Sequence, residues 1–347
     1  MTGKSVKLVI PGDISKQTGG YIYDRRVLSE LAQQGFMTSH ISLGDSFPEP
    51  SQADIKDARE KLSGLSAEEI LIIDGLALGA MDPELVRSLR ADVVALIHHP
   101  LAYEGNLDMS LRERFFETEQ INLKACSRVI VPSPHTKDLL IQEYGIEESK
   151  ITVAKPGIDF NPCTQQKLEP PLVLSVGIQA HRKGHDVFLN ALSRLTHLDW
   201  QVVIAWWVED EEHANQLERL MEDLNLGDRV RIESSVSSSD LPELYCQATV
   251  FALATRYEGY GMVFAEAMSY GLPIVSCDTG AVPDTVAPGA GKLVPVDDVE
   301  SFAYALAEVL EDNSARDAMA VASKEAGQKL GSWMQTAEIV GGVLDSL

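Results

Sequence analysis

Short apolar runs of strand type alternate along this chain with stretches of helical period, and they do so in two consecutive series. Val6 to Ile10 is the first run. Pro11-Gly12-Asp13 and Thr18-Gly19-Gly20 follow it, and Ile22, Val27, Leu28, Leu31 and Ala32 then recur at helical spacing until Gly35 stops them. Strand-like 38–43, 70–73, 93–97 and 128–131 continue the pattern, separated by helical 52–62, 83–90 and 111–126. Strands that alternate with helices imply a parallel sheet covered on both faces, with ligands at the carboxyl ends of its strands. The first glycine loop and His98-His99 both fall at such ends.

After Ile151 to Val153 the composition changes. Pro156-Gly157, Asn161-Pro162 and Pro170-Pro171 make a connector with little periodicity. A second series follows, with strand-like 172–176, 201–205, 230–232 and 250–254 and helical 186–195, 210–224, 239–247 and 299–311. The expected organisation is a Rossmann-like domain over 1–160, a second over 161–330, a site in the cleft between them, and a last helix within 331–347. A chain of 347 residues exceeds what one core usually fills, which agrees with two domains.

The charge balance excludes several function classes. Twenty-nine basic against 52 acidic side chains leave a net −23, a field that disfavours nucleic acid and anionic lipid, so membrane contact is at most peripheral. Residues 1–165 carry 17 basic and 24 acidic side chains, which leaves 12 and 28 for the remainder. Cations in the second half are therefore scarce, and any cluster of them matters. No apolar run approaches the roughly 20 residues that span a bilayer, and the first residues lack the apolar segment of a secretory signal, so a cytoplasmic protein is expected. Cys126, Cys163, Cys246 and Cys277 have no metal-type spacing and read as reduced thiols.

The most informative stretch is RYEGYGMVFAEAMSYGLPIVSCDTGAVPDTV, Arg256 to Val286. A strand-like run ends at Ala254, Glu258-Gly259-Tyr260-Gly261 forces a turn, and Phe264, Ala265, Ala267 and Met268 suit a helix that Gly271 and Pro273 end. A turn of this kind aims the backbone N–H groups of Gly261, Met262 and Val263 and the positive end of the helix dipole at one point, which favours an anion such as a diphosphate. Glu258 and Glu266 flank that point. The whole string resembles the donor-site signature of the retaining glycosyltransferases of family 4, in which Glu-Gly-Tyr/Phe-Gly opens the helix and Glu-Ala-Met lies within it. Gly271-Leu272-Pro273, Gly280 and Pro283 also fall where that family has them.

Other constellations take their meaning beside that resemblance. Arg182 and Lys183 stand in the loop after Val173-Leu-Ser-Val-Gly177, where a planar fork of donors and a point charge suit phosphate oxygens. A surface Arg-Lys pair is ordinarily only solvated, but the family carries a cation or cation pair here for the leaving nucleoside diphosphate. Many members also have an arginine at the position of Ile178. His98 ends a buried strand where the family places a histidine facing the transferred sugar, and His99 is the alternative. Gly19 and Gly20 open the first helix, where backbone can approach a phosphate closely. Arg25 and Arg26 either reach an anionic acceptor or form a solvated face. Trp207 and Ser234 depart from the small residues usual in relatives at strand ends near the base; Trp207 either stacks or fills the pocket, and Val236 is a further candidate contact.

The resemblance implies an α/β chain of GT-B fold, two Rossmann-like domains facing across a cleft, whose last helix crosses back to the first domain. It implies a transferase that moves a sugar from a nucleotide-diphosphate donor to a glycan, lipid-linked glycan or small-molecule acceptor with retention of configuration. Glu266 would accept from the ribose hydroxyls, and Glu258 would contact the transferred sugar. Without an Asp-x-Asp motif, no metal or other cofactor is expected. A sugar-nucleotide epimerase and a catalytically degenerate binder are the rival readings.

Overall fold

The computed structural model describes residues 3–105, 107–159, 166–207, 211–234, 236 and 240–347. They form two compact units, one of residues up to Gly157 together with Gly331–Leu347, the other of Ile158–Leu330.

In the first unit β1 (Ser5–Pro11), β2 (Met37–Leu43), β3 (Glu69–Asp74), β4 (Asp92–Leu96), β5 (Arg128–Val131) and β6 (Ile151–Val153) form a six-stranded sheet in the order β2-β1-β3-β4-β5-β6. Every neighbouring pair is parallel. Alternate residues serve opposite faces: Val9, Leu71, Ile73, Val93 and Ala95 join one core, while the intervening Leu8, Ile72, Val94 and Leu96 are buried on the other side. The chain reverses direction across the sheet between β1 and β3, so the loop after β1 and the end of β3 open on the same point.

The second unit repeats the plan. β7 (Leu172–Ile178), β8 (Gln201–Trp207), β9 (Val230–Ser234), β10 (Val250–Leu253), β11 (Ile274–Cys277) and β12 (Gly291–Val294) follow the order β12-β11-β10-β7-β8-β9, again all parallel. Val173, Val202, Ile204, Val250 and Ala252 pack in one cluster and Leu172, Leu174, Val203, Phe251 and Leu253 in another. The reversal now lies between β7 and β10, which places the loops that leave those two strands side by side.

The C-terminal helix Trp333–Asp345 belongs to the first unit and packs on helix Gly19–Gln33. Gly341 faces Gln34 and Phe36, Thr336 Oγ1 donates to Lys155 O at 2.8 Å, and a Cβ on Gly157 would stand 2.2 Å from Trp333 N. Only glycine lets the returning chain seat there. Helices Pro134–Gln142 and Asn313–Gly327 are additions to the expected set. The latter fully buries only Ser323 and Gly327, and its apolar side, with Ala315, Met319, Ala322 and Ala326, is mostly alanine and only partly buried, a weak signal for periodicity.

The expectation of four reduced thiols fails at one position. Cys126 and Cys277 are free and buried, whereas Cys246 is disulfide-bonded. The connector runs alongside it, with Gln166 N donating to Cys246 O and Leu168 N to Gln247 O. Cys163 lies outside the described residues. No helix among the described residues is long and apolar enough to cross a membrane.

Candidate active site

The loops that leave β7 and β10 build a charged cluster in the second unit. After β7 the chain makes a single 3-10 turn, His181–Lys183, and enters helix His185–Ser193 through Gly184, whose φ is 63°. A Cβ on Gly184 would stand 1.9 Å from Ala254 O, so glycine is needed both for the left-handed backbone and for the approach to the end of β10. The returning chain is then stitched to this loop: Arg256 N donates to Arg182 O at 2.7 Å, and Thr255 Oγ1 lies 3.0 Å from the same carbonyl.

Arg256, to which the sequence reading attaches no role, is the clamp of this arrangement. Its guanidinium binds Asp186 with both Nη atoms, at 3.0 and 2.8 Å, and donates to His181 O and to Asp297 Oδ1. A planar fork suits a carboxylate in this bidentate way, which fixes one loop against the other.

Lys183 and Glu258 are brought together within that frame, both buried. Lys183 Nζ lies 2.6 Å from Glu258 Oε1, Thr255 Oγ1 donates to the same oxygen at 3.0 Å, and Arg182 Nη1 stands 3.6 Å from Oε2. Burial alone would raise the Glu258 pKa; the Lys183 and Arg182 charges with the two hydrogen bonds more than offset it and hold the carboxyl below its ordinary value. Two cations against one carboxylate leave a positive excess at this spot in a strongly acidic chain. Arg182 also reaches Tyr257 O at 3.5 Å, so its side chain lies along the loop instead of standing in solvent.

Glu258 leads directly into Gly261, at φ 82°, and helix Met262–Ser269. A Cβ on Gly261 would meet Phe264 Cδ2 at 2.5 Å, and Phe264 N already donates to Gly261 O. Met262 and Val263 supply the first-turn N–H groups of that helix, both half-buried. One turn further, Glu266 receives Tyr245 Oη–H on Oε2 at 2.8 Å, and Tyr245 in turn stacks on Tyr270 at 5.1 Å with planes 6° apart. Burial raises the Glu266 pKa, against the Tyr245 bond. Tyr245 is a second participant that local pattern does not reveal.

Val236 is 7% exposed and packs with Leu244, Tyr245 and Val203. The side chains of Trp207 and Ser234 lie outside the described residues.

In the first unit, His98 follows β4 and meets two carboxylates. Its Nε2 is 2.9 Å from Asp24 Oδ1 and 3.6 Å from Asp74 Oδ2. Gly20 makes room for the ring, since a Cβ there would stand 2.9 Å from His98 Cδ2, whereas Gly19 is simply the exposed first residue of its helix. His99 turns elsewhere, to Glu104 at 2.5 Å. Arg25 uses Nη1 on the carbonyls of Ile14 and Lys16 and so clamps the loop after β1. The ligand atoms of Asp24, Asp74 and His98 lie within 4.8 Å of one another. At metal–ligand distances of about 2.0–2.2 Å, tetrahedral neighbours would stand roughly 3.3–3.6 Å apart. The observed 2.9 Å is instead hydrogen-bond spacing.

Residues 161–326 match the family described as glycosyl transferases group 1, and residues 70–161 match glycosyltransferase family 4. Over 188 residues the chain is 32% identical to mannosylfructose-phosphate synthase of Agrobacterium fabrum, a stretch covering 49% of this chain and 41% of that one. The chain thus spans about half the length of the curated relatives it matches. Among solved structures, sucrose-phosphate synthase from Thermosynechococcus elongatus superposes with a TM-score of 0.84 at 20% identity, over 99% of this chain and 98% of that one. Anabaena Alr3699/HepE in complex with UDP-glucose gives 0.78 at 14% identity, over 98% and 100%. These likenesses are of fold.

Proposed function

Since the chain belongs to glycosyltransferase family 4 and has the GT-B fold, we propose that it transfers a sugar from a nucleotide-diphosphate donor to an acceptor with retention of anomeric configuration. The observation that carries this reading is the buried Lys183–Glu258 pair, with Arg182 beside it, immediately before the helix N-terminus at Gly261. As the glycosidic C–O bond breaks, negative charge grows on the diphosphate. Donors already fixed at that place stabilise it without reorganising, which is typically the largest catalytic contribution.

In this reading Arg182, Lys183 and the N–H groups of Met262 and Val263 hold the diphosphate, and Glu266, oriented by Tyr245, accepts from the ribose. Glu258 contacts the transferred sugar, and by family resemblance His98 donates to one of its hydroxyls. The position of Arg182 next to Glu258 supports its replacing the arginine that many members carry where this chain has Ile178. The acceptor proton passes to a donor phosphate oxygen, so no separate carboxylate base is assigned. Local cations supply the charge that a metal supplies in other transferases, so donor use is proposed to be metal-independent.

The HepE structure holds UDP-glucose, and mannosylfructose-phosphate synthase and sucrose-phosphate synthase are named for phosphorylated disaccharides. UDP-sugars therefore head the donor panel and phosphorylated sugars the acceptor panel. Thermal shift identifies the donor, because a ligand that binds only the folded state raises its apparent stability. Product analysis by NMR then separates transfer, epimer formation and binding without turnover. Transfer with retained configuration, unchanged in EDTA, is the expected result. An epimerised donor, or a bound donor never consumed, would overturn it.

A further inference from the structure

Around His98 the first unit assembles groups that no phosphate or ribose contact accounts for. Helix Gly19–Gln33 carries Asp24 into the interior, 1% exposed, where Oδ1 lies 2.9 Å from His98 Nε2 and Oδ2 is buried with no hydrogen-bond partner. Asp74, at the end of β3, is 2% exposed; its Oδ1 accepts from Leu76 N, and its Oδ2 stands 3.6 Å from the same imidazole nitrogen. The Tyr23 ring packs edge-on against His98 at 5.2 Å, and its hydroxyl donates to Ala154 O, so it brings no charge to the ring. Trp333 packs edge-on against the far side of Tyr23 at 5.7 Å. Gly20 leaves the space the imidazole fills.

Two carboxylates withdrawn from water thus converge on one nitrogen. A buried carboxylate with an unmatched oxygen is costly unless a positive charge lies against it. The imidazole is the group in hydrogen-bonding contact with Asp24, and Arg25, whose Nη1 is engaged by the carbonyls of Ile14 and Lys16, adds a coulombic attraction without a hydrogen bond to it. With Nε2–H committed to Asp24, the ring's second N–H, on Nδ1, has no protein partner among the described residues, and the side chain is 19% exposed.

We propose that Asp24 is a positioning residue that holds His98 as an imidazolium through Nε2, so that Nδ1–H becomes a charged hydrogen-bond donor for an oxygen of a bound ligand. The identity of that ligand as a sugar rests on the transferase reading; the state of the ring does not. Burial disfavours the charged ring, but the Asp24 charge and hydrogen bond, with Asp74, outweigh it, and His98 titrates above its ordinary 6.5. Asp74 is pushed up to about 7, by burial first and by Asp24 second. Asp74 and His98 therefore influence one another's protonation through their charges.

The test is NMR of the full chain with 15N-labelled histidine, the His98 signals assigned by their loss in His98→Gln. In the wild type at pH 7 both ring nitrogens should show N–H character, with a midpoint above 6.5. Asp24→Asn should lower that midpoint by about one pH unit or more, and Asp74→Asn by less, given its longer distance. Once turnover of a donor is found, the alkaline limb of kcat/KM should move down in pH in Asp24→Asn, and Asp24→Glu should restore part of the shift. A wild-type His98 that is neutral at pH 7, or a midpoint unmoved in Asp24→Asn, overturns the proposal. So does stoichiometric zinc or manganese binding that removes the Nε2–H signal. Should Asp24→Asn not fold, the wild-type titration still decides. Failure to turn over any donor would count against the transferase reading alone.

Discussion

Replacing Lys183 by methionine keeps the stem over Gly177 and removes only the charge, which isolates what the ammonium does for Glu258. In the wild type that carboxylate is 5% exposed and depends on Lys183 at 2.6 Å, Arg182 at 3.6 Å and the Thr255 hydroxyl at 3.0 Å. Breaking a buried pair by deleting one partner typically costs about 3–5 kcal/mol. Arg182 and Thr255 remain, so the lower end, about 3 kcal/mol, is expected. For a unit the size of Ile158–Leu330 this corresponds to a fall in Tm on the order of 6 to 12 °C.

The contribution of this pair depends on pH. Glu258 is held below 4.5 in the folded state, so its contribution is present above about 4.5 and is lost as pH falls through the folded value. Lys183→Met removes most of that depression. Its deficit should thus be largest at neutral pH, should begin to narrow below about pH 4.5, and should be gone only after pH has fallen through the folded value, where the wild type is left with a buried ammonium facing a neutral acid. Calorimetric melts of Lys183→Met, Glu258→Gln and the double variant at pH 7 and pH 4 measure this. The double variant should be no less stable than the worse single one. A Lys183→Met melt within about 2 °C of wild type at pH 7, or the same deficit at both pH values, would show that the pair does not hold the loop together. In turnover, Arg182→Ala and Lys183→Ala should each lose roughly 2–4 kcal/mol of transition-state stabilisation, mainly in kcat. A loss confined to Lys183 would remove Arg182 from the site.

Tyr245→Phe deletes the 2.8 Å donor to Glu266 while keeping the stack on Tyr270; UDP affinity measured by titration calorimetry should weaken about five- to tenfold with little change in Tm, and unchanged affinity would sever Glu266 from nucleotide binding. Burial lifts the Glu119 carboxyl to about 8 from 4.5, so between those values folding takes up a proton and stability declines as pH rises. Glu119→Gln keeps an oxygen that can accept Leu101 N and should remove that slope; urea midpoints of variant and wild type that run parallel from about pH 5 to 8 would refute this.

The donor-side motif was legible because it is contiguous: a turn, a helix and its glycine stop follow one another between Glu258 and Gly271, and each can be read from its neighbours. The Lys183–Glu258 contact joins residues 75 apart, and it exists because β7 and β10 are adjacent in a sheet whose strand order no local pattern encodes. Arg256 escapes local reading for the same reason, since its partners Asp186, in the first turn of helix His185–Ser193, and Asp297 are 70 and 41 residues away.

Asp24 is a different kind of omission. The first helix was read from Ile22, Val27, Leu28, Leu31 and Ala32, yet the residues it buries include Asp24, Val27 and Leu31, at the i, i+3, i+7 spacing of one face. A carboxylate therefore occupies the inward stripe, at the one step where an apolar residue would have completed the pattern. Local rules make such a residue an error unless something across the interior receives it, and the topology supplies that receiver in His98, at the end of a strand two places away in the sheet. In the proposed state the charged imidazole offsets the burial of Asp24. An apolar residue of similar size at position 24 leaves His98 free to lose its proton, so the fold should lose less than the roughly 3–5 kcal/mol of a broken buried pair while the His98 titration shifts most, a combination that a purely structural aspartate would not produce.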